Sequence, residues 1–128
     1  MIILNTEGDT LRAVASVIGG VNVTLYGLEK VSSTTNYKKL AQVSLSGNET
    51  VDTLYTLPSA MTTVVATSIF TNTTDTSITF SLWHVPVSGA ANDSNAIFKD
   101  LTIGAKATMI WNKGNLKSIP DSNANRTM

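Results

Sequence analysis

The chain has 128 residues, no cysteine, one histidine, and nine basic against nine acidic side chains. A single domain of this length buries a core without disulfides or metals. The cysteine count excludes zinc–thiolate sites and cysteine nucleophiles, and a net charge of zero argues against direct nucleic-acid binding, which needs a basic field.

The first ten residues read as an extended N-terminal arm, 1–10. Met1-Ile2-Ile3-Leu4 has no basic flank and turns polar at Asn5, so it does not read as a signal peptide. From Leu11 the period is two, the spacing that sends alternate strand side chains to opposite faces. Leu11, Ala13, Ala15 and Val17 share one face of a first strand, and Gly19-Gly20 marks a turn or bulge. Val21 to Val31 predicts a second strand, with Val21, Val23 and Leu25 opposite Asn22, Thr24 and Tyr26. Ser32 to Asn36 reads as a polar loop. Lys39–Ser46 and Val51–Leu57 read as a hairpin across Gly47-Asn48-Glu49.

Pro58-Ser59 interrupts the pattern. Thr63 to Asn72 is a strand, Thr73 to Thr76 its turn, and Ile78 to Val85 the next strand. Ile78, Phe80 and Leu82 share one face there while Trp83 and Val85 occupy the other, which predicts a central strand or one meeting a partner. A loop rich in Gly, Ala, Asn, Asp and Ser, Ser88 to Asn95, leads to strands at Ala96–Ile103 and Ala107–Trp111. The chain then turns polar, and 112–128 reads as a C-terminal tail. No stretch keeps a helical apolar spacing, and no apolar run approaches the ~20 residues of a membrane helix. The expected architecture is all-β: a sandwich of jelly-roll type over 11–111, flanked by an arm and a tail. Charged residues are only 14% of the chain, and Thr, Ser and Asn supply about a third of it. That composition suits pleated surfaces and short polar turns.

Candidate chemistry is sparse. His84 stands alone, with no nucleophile or orienting acid beside it in sequence. Asp93, Asn95 and Asp100 offer oxygen ligands for Ca²⁺, but their spacing is not that of an EF-hand and is also ordinary turn chemistry. Glu7 with Asp9, and Glu49 with Asp52, fall in turn-like segments and read as solvated carboxylates. Lys38 and Lys39, with Lys30 nearby, are the one basic cluster, and adjacent strand lysines point to opposite faces. Trp83, Trp111, Tyr26, Tyr37 and Tyr55 serve either as core and interface anchors or as a sugar-stacking platform. Asn-x-Ser/Thr sequons at Asn22, Asn48, Asn72, Asn92 and Asn125 read as a by-product of composition. Gly19-Gly20 lacks the Lys-Ser/Thr of a phosphate loop. No residue set supports catalysis, and no cofactor or metal is expected.

Two segments carry a resemblance. Ile69 to Thr74, Ser77 to Leu82 and Pro86 to Ile97 read "I-F-T-N-T-T", "S-I-T-F-S-L" and "P-V-S-G-A-A-N-D-S-N-A-I", the order of an "I-x-N-T-T", "S-I-T-F-S-L", "P-x-G-x-A-x-x-x-N-A-I" pattern with one residue added in the first and last parts. This wording resembles the β-sandwich repeat of small tailed-bacteriophage virion proteins. Ile3 to Tyr26 is similar to the opening of capsid accessory proteins of the same viruses. Where the family pattern continues into a further strand with a Gly-Asp turn, this chain has Gly114-Asn115 and a polar tail. The resemblance implies a virion structural protein assembled in the host cytoplasm, of capsid decoration or cement type. Its partners would be the major capsid protein and further copies of itself, as a dimer or trimer, with no membrane, nucleic acid or small-molecule substrate. A head–tail connector or baseplate component, or a glycan-binding host-recognition module, are the alternatives. The expected contact residues are Ile2, Ile3 and Leu4 in the arm, Trp83, and Trp111, Asn112, Leu116 and Ile119 toward the C-terminus.

Overall fold

The computed structural model describes residues 2–112 and 115–120. Among these residues ten antiparallel strands form two sheets: β1 Ile2–Leu4, β2 Thr10–Ala15, β3 Val21–Val31, β4 Thr34–Ser44, β5 Asp52–Thr56, β6 Thr62–Asn72, β7 Ile78–Val85, β8 Ala96–Ile103, β9 Thr108–Asn112 and β10 Asn115–Ile119. The larger sheet has the order β10-β9-β6-β3-β4, with β1 also paired to β6, and the smaller has the order β5-β2-β7-β8. The sheets pack face to face. Phe70 of β6 and Phe80 of β7 meet with ring centroids 4.4 Å apart, and Leu11, Ala13, Val23, Leu25, Ile78 and Leu82 close around them with no exposed surface to speak of. Alternation in the sequence thus becomes burial in the sandwich.

The all-β expectation holds, and Val21–Val31 and Ile78–Val85 match β3 and β7 to the residue. β7 is a central strand between β2 and β8. Four local expectations need correction. Ser32 to Asn36 is not a loop: the turn is only Ser32-Ser33, with Ser32 at φ 52°, and β4 starts at Thr34. The segments either side of Gly47–Glu49 do not form a hairpin, because β4 pairs with β3 and β5 with β2. A tight turn does exist there, but Asp52 accepts from Ser46 N (2.7 Å) and Ser46 Oγ (2.8 Å) and Leu45 enters the core, so the chain crosses between sheets. Within the expected arm 1–10, Ile2–Leu4 is a sheet strand, with Ile2 opposite Val65 and Leu4 opposite Thr63. Within the expected tail 112–128, Asn115–Ile119 pairs along β9; residues 121–128 lie outside the described residues.

Strand pairing is nested. β3–β4 lies inside β2–β5, β3–β6 inside β2–β7, and β7–β8 inside β6–β9, the returns of Greek-key connections.

The two faces of the sandwich are treated differently. Over the smaller sheet, Val14, Trp83 and Val85 form a second apolar cluster, against which pack Ala91 of the Pro86–Asn95 connection and Ala96 at the start of β8. That connection is pinned by a capping box in which Asn92 and Asn95 answer each other's backbone around a single 3₁₀ turn, Asp93–Asn95. The outer face of the larger sheet has no such cover among the described residues.

Candidate interaction face

The pairing register builds this face row by row. β3 shows the sorting most clearly: Val21, Val23 and Leu25 are buried while Asn22 and Tyr26 are exposed. Unbroken alternation along β3 keeps Leu28 and Lys30 on the outer side, and one extra residue in each neighbour, Leu40 of β4 and Ala66 of β6, brings Tyr37 and Val64 to the same side. Ile3 of β1 stands opposite Val64 of β6, Val64 opposite Leu28 of β3, and Leu28 opposite Tyr37 of β4. Four strands therefore contribute one continuous apolar row, and its two ends are open: Ile3 is 54% and Tyr37 65% exposed. The next row is Asn112, Thr67, Tyr26 and Lys39, and the one beyond it Lys117, Ile110, Ile69, Thr24 and Gln42. A further row runs Ile119, Thr108, Thr71, Asn22 and Ser44, with the Thr71 and Thr108 hydroxyls 3.4 Å apart across the β6–β9 pair.

The charges on this face have one sign. Lys30, Lys39 and Lys117 lie on it, and among the described residues its paired positions carry no carboxylate. Lys39 Nζ is held by Gln42 Oε1 at 2.8 Å. Glu7 stands beyond the end of the face, across an open polar cleft of about 380 Å³ that also takes in Asn5, Lys30, Ser32 and Thr62.

Gly27 explains how the face stays continuous across its bulge. A Cβ on it would overlap the Val64 carbonyl, so only glycine lets β3 and β6 approach there. Behind the face, Tyr55 of β5 reaches across the sandwich. Its hydroxyl donates to Glu29 Oε2 (2.7 Å) and lies 2.8 Å from Thr63 Oγ1. Lys38 Nζ sits 2.9 Å from the other Glu29 oxygen. Burial, then the bond to Glu29, push the Tyr55 hydroxyl up to about 12. The hydrogen bond from Tyr55, then the one from Lys38, hold the Glu29 carboxyl below its usual range. The cluster ties the two sheets together under the row of Ile3, Val64, Leu28 and Tyr37.

The expected contact residues divide. Ile3 lies in the apolar row, while Ile2 and Leu4 point inward and are buried. Trp83 is buried under the Ala91/Ala96 cover, with Lys99 Nζ 5.9 Å from its ring. Trp111 packs edge-on against Phe98 at 5.1 Å, inside the sandwich mouth. Trp83 and Trp111 thus belong to opposite sides of the smaller sheet and form no joint platform. Asn112 and Ile119 are exposed on the outer side, and Leu116 is exposed on the inner side beside Trp111. Leu28, Val64, Tyr26 and Tyr37 belong to the face only because β1, β3, β4 and β6 are neighbours, a fact held in long-range pairing.

The remaining candidates resolve into structure. His84 Nε2 lies 3.6 Å from Asp9 Oδ2, a carboxylate distant in sequence that also accepts from Val87 N at 3.0 Å. Asp93 faces Lys99 at 3.6 Å, Asn95 serves the capping box, and Asp100 takes part through its backbone N–H, which donates to Ser81 Oγ at 2.9 Å. Among the described residues, no three His, Cys, Asp or Glu side chains gather as a metal site. Lys38 and Lys39 do point to opposite sides, toward Glu29 and Gln42. Asn72, one of the sequons, is buried and fully engaged within the fold.

No family model, curated protein or solved structure matches the chain.

Proposed function

We propose that the chain is a structural, non-enzymatic protein of a tailed-phage particle, of capsid decoration or cement type. One observation carries this reading: a six-stranded sheet whose outer face presents an open apolar row, Ile3-Val64-Leu28-Tyr37, amid hydroxyl and amide side chains, with no covering segment among the described residues. A surface of this kind suits protein contact: aromatic and aliphatic groups stand in a row amid hydroxyl and amide groups, with lysine as the charge beside them. The sequence resemblance supplies the virion setting. Within it the face lies across joints between major capsid subunits, and binding only the assembled shell stabilises that shell by mass action. Many copies on a symmetric shell multiply a modest contact. In this reading the nested β2–β7 and β3–β6 pairs are the inner part of a jelly roll, from which β9 departs by returning to β6.

The test is co-sedimentation of the purified chain with expanded phage shells that lack it. Expected are saturable binding at many copies per shell, a higher disruption temperature of the loaded shell, and loss of both with Tyr37→Ser or Ile3→Ser. Recovery at only a few copies per particle would move the protein to the tail or connector. Retention on a glycan array without shell binding would replace the reading with host recognition.

A further inference from the structure

The exposed large apolar side chains fall mainly into two patches. One is the outer face of the larger sheet. The other is an end of the sandwich, where Val17, Ile18 and Val51 are exposed, Ile18 at 72%. Turns 16–20 and 46–50 lie against each other there: Glu49 N donates to Ala15 O at 3.3 Å, and a Cβ on Gly47 would overlap the Val17 carbonyl. The Thr73–Ser77 turn joins them through Thr73 N to Gly20 O at 2.9 Å. This end carries the carboxylates Glu49, Asp52 and Asp75, against a single nearby cation among the described residues, Lys106, which sits 3.7 Å from Asp75.

We infer that the acidic apolar end of one copy docks on the lysine-bearing apolar face of a second copy. The two patches match in kind: an aliphatic group, Val17/Ile18/Val51, ringed by carboxylates meets Ile3, Leu28 and Tyr37 flanked by Lys30 and Lys39. Opposite potentials steer such an encounter and fix its register. Face against face is disfavoured, because Lys39 and Lys117 would meet their own kind. One molecule cannot satisfy itself either. The end adjoins Asn22, and the apolar row crosses β3 at Leu28, six residues or about 20 Å further along the strand. The contact is therefore head-to-tail, and such contacts propagate until a ring closes or an array extends. The inference rests on the docking role proposed for the face and assigns the row a second copy in place of the shell, so the two contacts compete for Ile3, Leu28 and Tyr37.

Sedimentation velocity of the full chain across a concentration series tests this. The wild-type chain should form species larger than a dimer in about 0.1 M salt. These should dissociate in about 1 M salt, where the screening length falls from about 10 Å to about 3 Å. Lys39→Glu (face) and Ile18→Asp (end) should each remain monomeric, with unchanged circular dichroism because both side chains are exposed. Mixed in equal amounts, they should form a dimer and nothing larger, since each supplies the patch the other lacks. A wild-type chain that stays monomeric, a dimer that survives both substitutions, or a mixture that stays monomeric each overturns the inference. Shell binding by a monomeric chain would sink the head-to-tail contact alone. Self-association without shell binding would sink the capsid role alone.

Discussion

Asn72 closes the sandwich, and replacing it tests the packing argument. It ends β6, is 1% exposed, and uses its whole amide. Nδ2 donates to Thr76 O (2.8 Å), Ile103 O (3.0 Å) and Gly104 O (3.0 Å), while Oδ1 accepts from Thr74 N (2.9 Å) and Thr74 Oγ1 (2.8 Å). One side chain thereby joins the β6–β7 turn to the end of β8, in the opposite sheet. Asn72→Ala takes a buried bond from Ile103 O, a loss of about 1–3 kcal/mol where water does not reach to replace it. The other partners lie nearer solvent and lose net bonds of about 0.5–1.5 kcal/mol each. A total of about 3 kcal/mol or more follows, large for one substitution. Urea unfolding followed by tryptophan fluorescence should show a midpoint lowered by about 2 M or more at unchanged slope. Asn72→Asp is the sharper probe. It keeps the acceptor for Thr74 but turns a carboxylate toward three carbonyl oxygens, so at neutral pH it should be at least as damaging as alanine. A near-wild-type Asn72→Asp, or an alanine cost below about 1 kcal/mol, would refute the account of this residue.

Gly27→Ala should destabilise by several kcal/mol or prevent folding, because its Cβ meets the Val64 backbone carbonyl rather than a movable side chain; thermal melts and soluble yield measure it. Tyr55→Phe should cost about 1–3 kcal/mol by removing the bonds to Glu29 and Thr63. Because the folded Tyr55 hydroxyl is raised to about 12 from 10.0, wild-type stability should fall as pH climbs between these values, where the unfolded chain holds fewer protons; a pH series of urea midpoints should show this alkaline loss flattened in Tyr55→Phe. Glu29 has the opposite sign: its folded carboxyl is lowered from 4.5, so its contribution is present above that value and drains as pH falls through the folded one, a loss that Glu29→Gln should reduce. Deleting 1–10 should collapse the circular-dichroism melt, since Ile2, Leu4 and Asp9 are buried, whereas ending the chain after Asn112 should cost little, since every residue of β10 is exposed.

These outcomes mark where the sequence was legible. Period-two alternation exposed β3, β6 and β7 because each has a face buried against the same core, and burial of alternate residues is a local pattern, while β8 showed through its apolar content, Ile97, Phe98, Leu101 and Ile103. It failed at β1 and β10 for opposite reasons. Ile2–Leu4 is three residues long, too short to display a period, and its burial comes from lying along β6 some sixty residues away. Asn115–Ile119 buries neither face, so nothing in its side chains records that its backbone pairs with β9. The same logic separates the misread hairpin at Gly47 from the true one at Ser32-Ser33. Glycine and asparagine announce a turn at 47–50, but the sheet each flanking segment joins is decided by its long-range neighbours, β3 and β2. The interaction face belongs to this second class of information. Ile3, Leu28, Tyr37 and Val64 are unremarkable one at a time, and only the register of four strands sets them in a row. A docking surface built on a sheet is thus recorded as pairing distances along the chain. That is why the aromatic residues most conspicuous in the sequence, Trp83 and Trp111, turned out to be packing groups while Tyr37 stands at the open end of the row.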